Sequence, residues 1–448
     1  MLGSNVFITF LLALLNFGIS SWVFLRYRPF LNLLHLGVIS TFFSFTVRPI
    51  LSAINDYFLL YISPSDIEER ASTVNYAMLI GLVTAIIFYI GYHLIMGRIR
   101  YKKKEIAINF RHYYMLGILA ASAILILIMI AYHILTSGQW LAGARTVAIT
   151  MLIPGGKYFF GLSIVLATII PFIGYIIWSK VKSFGKTIII ISSFIAIVSL
   201  FLLYQRGFLL MAFILVFWFF EKKTRLKFKH FIILFLCGIF VIAYIRPLAY
   251  GISQGNINLN LLSLKHLNPT TLFLKSPNFA GPDTYIVIFK YIEEEGYTFG
   301  KTFLSWPFRI LPLKARVDIS KSASDILNEF TYGDFYHGKG FGFNVGIGHE
   351  LYLAFGWIGL IFMLIPGIIT GFIDRWLARV DKIKIFTPWL VGAAFASGGF
   401  SGEVAAQMQW TLLYLGVGIF IMLFCLIFLS PSREVYNPKD LKTGIVEK

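Results

Sequence analysis

Acidic side chains are scarce in this chain: 21 Asp and Glu stand against 39 Lys and Arg among 448 residues, a formal net charge of +18. Charged residues of both signs make up only 13% of the sequence, about half of what a soluble domain carries. That shortage excludes an ordinary water-facing surface. Cysteine is scarcer still. Cys237 and Cys425 each lie inside an apolar run, which excludes a disulfide framework and leaves no cysteine-based metal site. Several chemical signatures are absent as well. The chain has no glycine loop ending in Lys-Ser/Thr, no His-Glu-x-x-His and no Gly-x-Ser-x-Gly elbow. Neither a metal nor a soluble cofactor is therefore expected.

What is present is apolar and aromatic: 58% and 17% of the residues, with a mean hydropathy of +0.78. The apolar stretches are continuous rather than alternating, so they read as helices and not as barrel strands. A span takes about 20 apolar residues. With that ruler the sequence predicts an all-α, polytopic helical membrane protein of about eleven transmembrane helices. They fall near 5–25, 30–50, 74–96, 114–134, 158–178, 187–204, 207–220, 231–249, 350–373, 385–405 and 410–429. The run from Asn5 to Leu25 lacks a basic lead-in and a small-residue cleavage site, so it is expected to be the first span and not a removed signal.

The basic residues bracket these runs, which argues for membrane orientation and anionic lipid and against nucleic acid. Arg26 and Arg28, the run from Arg98 to Lys104, Lys180, Lys182 and Lys186, the run from Lys222 to Lys229, and Arg375 to Lys384 fall on one face. The tail 431–448 joins them. The expectation is a cytoplasmic face there, with the C-terminus inside and the N-terminus outside. The predicted organisation is an N-terminal transmembrane bundle of about eight spans over 1–246, a large extracytoplasmic loop over 247–348, and C-terminal spans over 349–430. About 100 residues of loop should hold short helices of their own. The stripe Tyr285, Ile286, Ile288, Phe289 and Ile292 predicts one between Asp283 and Glu295. The stretch Trp306–Pro312 reads as an amphipathic turn at the membrane surface, and the glycine-rich run 338–348 leads into the next span.

Four arginines lie at the outward ends of spans, where basic residues are disfavoured: Arg48, Arg145, Arg206 and Arg246. Guanidinium groups gathered there suit a pyrophosphate, whose oxygens they bind bidentately. Arg206 sits in the tight turn Tyr204-Gln-Arg-Gly207, and the glycine would permit close approach of a ligand. Snorkelling to headgroups, or pairing with a nearby carboxylate, is the structural alternative for each. His349 and Glu350 follow the glycine run and open a membrane helix. Either could be the general base for a sugar hydroxyl, and a helix-opening Glu is also favoured by the dipole alone. Asp334 and His337 are weaker candidates.

These residues carry a resemblance. The chain resembles the oligosaccharide repeat-unit polymerases of bacterial surface polysaccharide assembly (Wzy-like, O-antigen polymerase type). The resemblance rests on Gln205-Arg206-Gly207, on Arg145 spaced eleven positions before Gly156, and on Tyr297-Thr-Phe-Gly-Lys-Thr-Phe303 followed by Ile310-Leu-Pro-Leu-Lys314. It rests also on Gly348-His-Glu-Leu-Tyr-Leu-Ala-Phe-Gly-Trp-Ile-Gly359. A second Arg spaced like Arg145 is not evident in the large loop, so Arg246, Arg309 or Lys314 would take its place. The resemblance implies an enzyme of the inner (plasma) membrane. It would transfer a glycan from undecaprenyl pyrophosphate onto the terminal sugar of another lipid-linked repeat unit. Arg145, Arg206, Arg246, Arg309, Lys314 and Arg48 would bind the pyrophosphate, with Glu350, His349 and Arg206 catalytic. Membrane lipids, a flippase and a chain-length regulator are the partners it implies. A lipid-linked oligosaccharide flippase and an O-antigen ligase are the rival readings. A flippase should line the membrane midplane with charge and show repeat symmetry, and neither is evident.

Overall fold

The computed structural model describes residues 4–27, 31–54, 67–96, 107–108, 112–137, 156–202, 205–224, 281–310, 321–333, 345–397 and 402–428. In chain order the helices are α1 (Ser4–Arg26), α2 (Leu33–Phe42), α3 (Arg48–Ile54), α4 (Ile67–Met96), α5 (His112–Ser137), α6 (Gly156–Ile177), α7 (Ser183–Leu202) and α8 (Arg206–Thr224). Then come α9 (Gly281–Glu295), α10 (Ser305–Ile310), α11 (Ala323–Tyr332), α12 (Ile347–Ile361), α13 (Leu364–Arg379), α14 (Thr387–Ala396) and α15 (Val404–Phe428). A π-helical turn, Phe43–Val47, joins α2 to α3. A two-residue parallel bridge pairs Ala107 and Ile108 with Lys382 and Ile383.

The helices are amphipathic in the reverse sense to those of soluble proteins. Helix α1 buries Val6, Thr9, Ala13, Asn16, Ser20 and Val23, one small or polar stripe at helical spacing. It presents Phe7, Leu11, Leu14, Leu15 and Trp22 outward. Helix α7 does the same, with Gly185, Ser192, Ala196 and Ser199 inward and Phe184, Ile190, Ile191 and Phe194 outward. Lipid is as apolar as leucine, so helices in it associate through small and polar residues and leave their large side chains outside. Among the described residues seven helices are long and apolar enough to cross a membrane, or eight if the bent pair α12–α13 is one span.

The differences from the eleven expected spans have physical causes. The 207–220 run is the helix α8, whose ends carry Arg206, Glu221, Lys222 and Lys223 and leave little uncharged length. The expected span 231–249 lies outside the described residues. The 385–405 run holds a helix of ten residues, Thr387–Ala396. The span expected over 350–373 is a broken pair bent by 83°. Within its first half Gly356 adopts φ 60°, ψ −139°, and the chain folds back so that a Cβ on Gly359 would lie 2.1 Å from the Leu351 carbonyl oxygen. The predicted loop helix is present as α9, and its first half is buried in the bundle. The stretch read as an amphipathic turn is the short helix α10. Of the glycine-rich run, 338–344 lies outside the described residues.

Two seams fix the bundle. Helix α13 packs along α4 with its glycines against backbone: Cβ atoms on Gly367 and Gly371 would meet the Phe88 and Tyr92 carbonyls at 2.3 and 3.2 Å. Opposite them, a Cβ on Gly91 would meet the Leu364 carbonyl at 2.4 Å. Close approach of two backbones needs residues this small. The second seam is polar. The N-terminus of α2 is buried, and its amides must find partners. Asp374 of α13 accepts from Leu33 N and Leu34 N at 3.0 and 3.2 Å, and from the Tyr92 hydroxyl at 3.0 Å. Asn32 caps His35 N at 2.7 Å, and Glu221 of α8 accepts from Leu31 N at 2.8 Å. Lys222 Nζ donates to the Val380 carbonyl at 2.6 Å. These contacts bring the segments flanking residues 27, 97, 222 and 380 to one end of the bundle. Most of the loops that the sequence groups as basic leave from this Asp374 end.

Candidate functional site

The opposite end holds the candidate residues. The π turn ends in an i→i+5 bond from Arg48 N to Phe43 O, and its extra residue rotates α3 about its axis. Arg48 is 3% exposed, and its Nη2 donates to Asp283 Oδ2 in the first turn of α9. Burial pushes the Asp283 carboxyl above its usual value, and the Arg48 guanidinium beside it acts against that rise. Helix α9 approaches so closely that a Cβ on Gly281 would meet the Phe45 ring at 2.8 Å and Ser44 Cβ at 2.9 Å.

His349 ties α9 to α12. Its Nδ1 accepts from Gly346 N at 3.1 Å, so the ring proton lies on Nε2, which donates to Gly281 O at 2.9 Å. The imidazole packs on the Tyr285 ring, with centroids 4.2 Å apart. Thr84 Oγ1 spends its proton on Ile80 O, so the Tyr285 hydroxyl donates to Thr84 at 3.2 Å. A Cβ on Gly348 would strike Thr84 Cγ2 at 2.4 Å. Glu350 is fully buried, and its Oε2 accepts from Val404 N, the first amide of α15, at 2.8 Å. A carboxylate is well placed there, where the helix dipole is positive. Glu403, one residue earlier, accepts from Ser324 N at 3.0 Å and so holds the start of α11. Thus α3, α9, α11, α12 and α15 meet through three buried carboxylates, one guanidinium and one imidazole.

The other site candidates are placed as follows. Arg206 is the first residue of α8, after a turn closed by Gln205 N on Leu200 O at 2.8 Å. Two residues on, the Phe208 ring packs on Trp410 of α15 at 4.3 Å. The start of α8 therefore lies beside the second turn of the helix whose first amide Glu350 holds. A Cβ on Gly207 would meet nothing within 4 Å, so packing among the described residues does not require glycine there. Arg309 belongs to α10, which packs against α15. Arg145, Arg246, Lys314, Asp334 and His337 lie outside the described residues. The structure thus gathers the elements bearing Arg48, Arg206, Arg309, His349 and Glu350 at one end. Among the described residues no three His, Cys, Asp or Glu side chains are grouped to hold a metal.

Two of the motifs that carry the resemblance also meet. At Gly356 the carbonyls of Leu353 and Ala354 lose their helical amides. Thr298 N and Phe299 N donate to them instead, each at 3.2 Å. Phe299 holds φ 47°, costly for a residue with a side chain. The Tyr297 to Phe303 loop is therefore seated in the break of the Phe355-Gly-Trp-Ile-Gly359 segment.

Sequence reasoning missed Asp283, Tyr285 and Glu403 as site members. Asp283 has a visible signal, an acid opening a loop helix, but its partner is 235 residues away. Comparison with known proteins gives no identity: no family model, no curated protein and no solved structure matches the chain.

Proposed function

We propose that this chain is a membrane-embedded polysaccharide repeat-unit polymerase. It moves a growing glycan from undecaprenyl pyrophosphate onto a sugar hydroxyl of another lipid-linked repeat unit at the outer face of a bacterial inner membrane. The observation that carries the reading is the convergence of the arginine-bearing elements with the buried His349 and Glu350 at the end opposite the basic loops. Arg206, with Arg145, Arg246, Arg309 and Lys314, binds the donor pyrophosphate and stabilises the charge that develops as it leaves. Arg48 is engaged by Asp283 and acts first as the tie between α3 and α9. The acceptor oxygen attacks the anomeric carbon as its bond to pyrophosphate breaks, and Glu350 or His349 takes the acceptor proton. Glu350 is buried on the amide of Val404 and the basic Nδ1 of His349 accepts from Gly346 N, so proton transfer requires the α12–α15 contact or the Gly346–His349 cap to open.

Reconstitution in liposomes with short lipid-linked repeat units tests the reading. Wild type is expected to produce a ladder of lengthened lipid-linked glycans. Arg206→Ala should reduce it at least about 100-fold, the scale of losing one preorganised charge donor. Glu350→Gln keeps a carbonyl for Val404 N–H but cannot take the proton, so a stable, inactive variant would mark Glu350 as the base. A stable, active one would leave it as the tie between helices. No ladder, with substrate changing leaflets instead, would replace the enzyme with a flippase.

A further inference from the structure

The floor of the site lies at mid-span. Thr84 is the middle residue of the apolar span Ala71–Met96, with 13 residues before it and 12 after. The Tyr285 hydroxyl lies 3.2 Å from its Oγ1, and a Cβ on Gly348 would lie 2.4 Å from its Cγ2. From that depth α9 and α12 run together toward the end away from Asp374. Phe289, one turn further along α9, packs on the Tyr76 ring at 5.1 Å, and Trp357 Nε1 donates to the Tyr76 hydroxyl at 3.0 Å. At 1.5 Å per residue Glu293 stands about 12 Å beyond Tyr285, close to the hydrocarbon boundary about 15 Å from a bilayer's middle. Glu293, Glu294 and Glu295 are exposed there. The chain then turns back into the bundle. Thr298 N and Phe299 N bond Leu353 O and Ala354 O, only about 8 Å along α12 from Gly348. Phe303 packs on the cluster that holds Phe88, Ile347, Leu351 and Met363.

Residues 297–305, which the sequence places in an extracytoplasmic loop, are also built like a lipid-facing helix. Thr298, Thr302 and Ser305 are buried, while Phe299 and Leu304 are 74% and 59% exposed. This is the inversion seen in α1 and α7, with small polar side chains inward and large apolar ones outward, and contact with water gives no reason for it. The outward face is continuous with the bent pair. A Cβ on Gly300 would lie 3.4 Å from the Phe355 ring, which packs on Phe362 at 5.8 Å, beside the exposed Ile358 and Ile361. We infer that residues 297–305 are re-entrant, and that Phe299 and Leu304 lie among the acyl chains of the leaflet away from the basic loops. Lys301 is the one charge in this segment. Its four-carbon chain reaches outward, toward the headgroup phosphates. A single layer of loop then separates lipid from the start of α12, with Phe299 and Leu304 facing the chains and Phe303 packed inward.

Nitroxide probes on Phe299→Cys and Leu304→Cys test this in the full chain, with Cys237 and Cys425 replaced by alanine, reconstituted in phosphatidylcholine–phosphatidylglycerol liposomes. Glu294→Cys is the water-facing reference. Collisions with dissolved oxygen, which concentrates in lipid, should outnumber those with a water-soluble nickel chelate several-fold at 299 and 304, and the order should reverse at 294. Nickel collisions at 299 and 304 as frequent as at 294 would put the loop in water and overturn the inference. Few collisions with either reagent would mean that protein covers the face, and would overturn it too. A second measurement keeps the native cysteines and needs no probe. Leu304→Asp should lower the unfolding midpoint of the reconstituted protein, because a carboxylate is costly among acyl chains, while Leu304→Met should leave it in place. An aspartate variant as stable as wild type would return this side chain to water.

Discussion

Replacing Asp374 by alanine is expected to cost the folded bundle about 3–5 kcal/mol, because stranded buried donors cost about 1–3 kcal/mol each. The side chain is 3% exposed and serves the amides of Leu33 and Leu34 and the Tyr92 hydroxyl together. No neighbouring side chain can replace it without moving a helix, because α13 is seated on α4 by the Gly367 and Gly371 contacts. The first turn of α2 would lose two of its amide partners, and the rest of the cap, Asn32 on His35 N, cannot reach them. Asp374→Asn retains one acceptor oxygen and should lie between wild type and alanine. Thermal unfolding in detergent micelles reads this directly. An alanine variant with an unchanged midpoint would mean that the α2 terminus is hydrated and that the carboxylate is not its support.

The parts of the fold legible in the sequence are those set by local pattern. Helix α1, the core of α4, α5, α6 and α7 follow from apolar length alone, because in lipid an apolar run has no alternative to helix. Helix α9 follows from the stripe Tyr285, Ile286, Ile288 and Phe289. The break in the 350–373 run was not legible. Gly356 and Gly359 stand in a strongly apolar context, where glycines also serve ordinary helix contacts, as Gly367 and Gly371 do. Only the loop that takes over the freed carbonyls distinguishes the two uses, and that loop is more than 50 residues earlier.

The candidate site divides in the same way. That Arg48, His349 and Glu350 stand at the end of the bundle away from the basic loops could be read from span ends and loop charge. What each one touches could not. Arg48 meets Asp283, His349 meets the Gly281 carbonyl, and Glu350 meets Val404 N, all across distant parts of the chain. A lone sequence offers no pairing signal at such separations. The residue type shows that a charge needs a partner, and the fold supplies which one.

Gly356→Ala should then separate the seating of the loop from the stability of the bundle. At φ 60° and ψ −139° an alanine is strained by about 1–3 kcal/mol, and its Cβ would lie 2.8 Å from the Tyr297 hydroxyl oxygen. The chain has two ways to relieve this. It can straighten toward a continuous helix, in which case the Leu353 and Ala354 carbonyls take back their own amides. Alternatively it can keep the break and displace Tyr297. Either way Thr298 N and Phe299 N lose their acceptors, and Phe299 loses the contacts that hold its positive φ. The helices α4, α6 and α13 do not depend on this loop, so the variant should fold. Hydrogen exchange at Thr298 and Phe299 is expected to quicken by about 10-fold or more, each 1.4 kcal/mol of lost docking being a factor of ten, with core amides unchanged. In the reconstituted assay, elongation should fall with it, because the same segment carries His349 and Glu350 at its start. Exchange at those two amides equal to wild type would show that the loop is held from elsewhere and that the glycine serves only the turn.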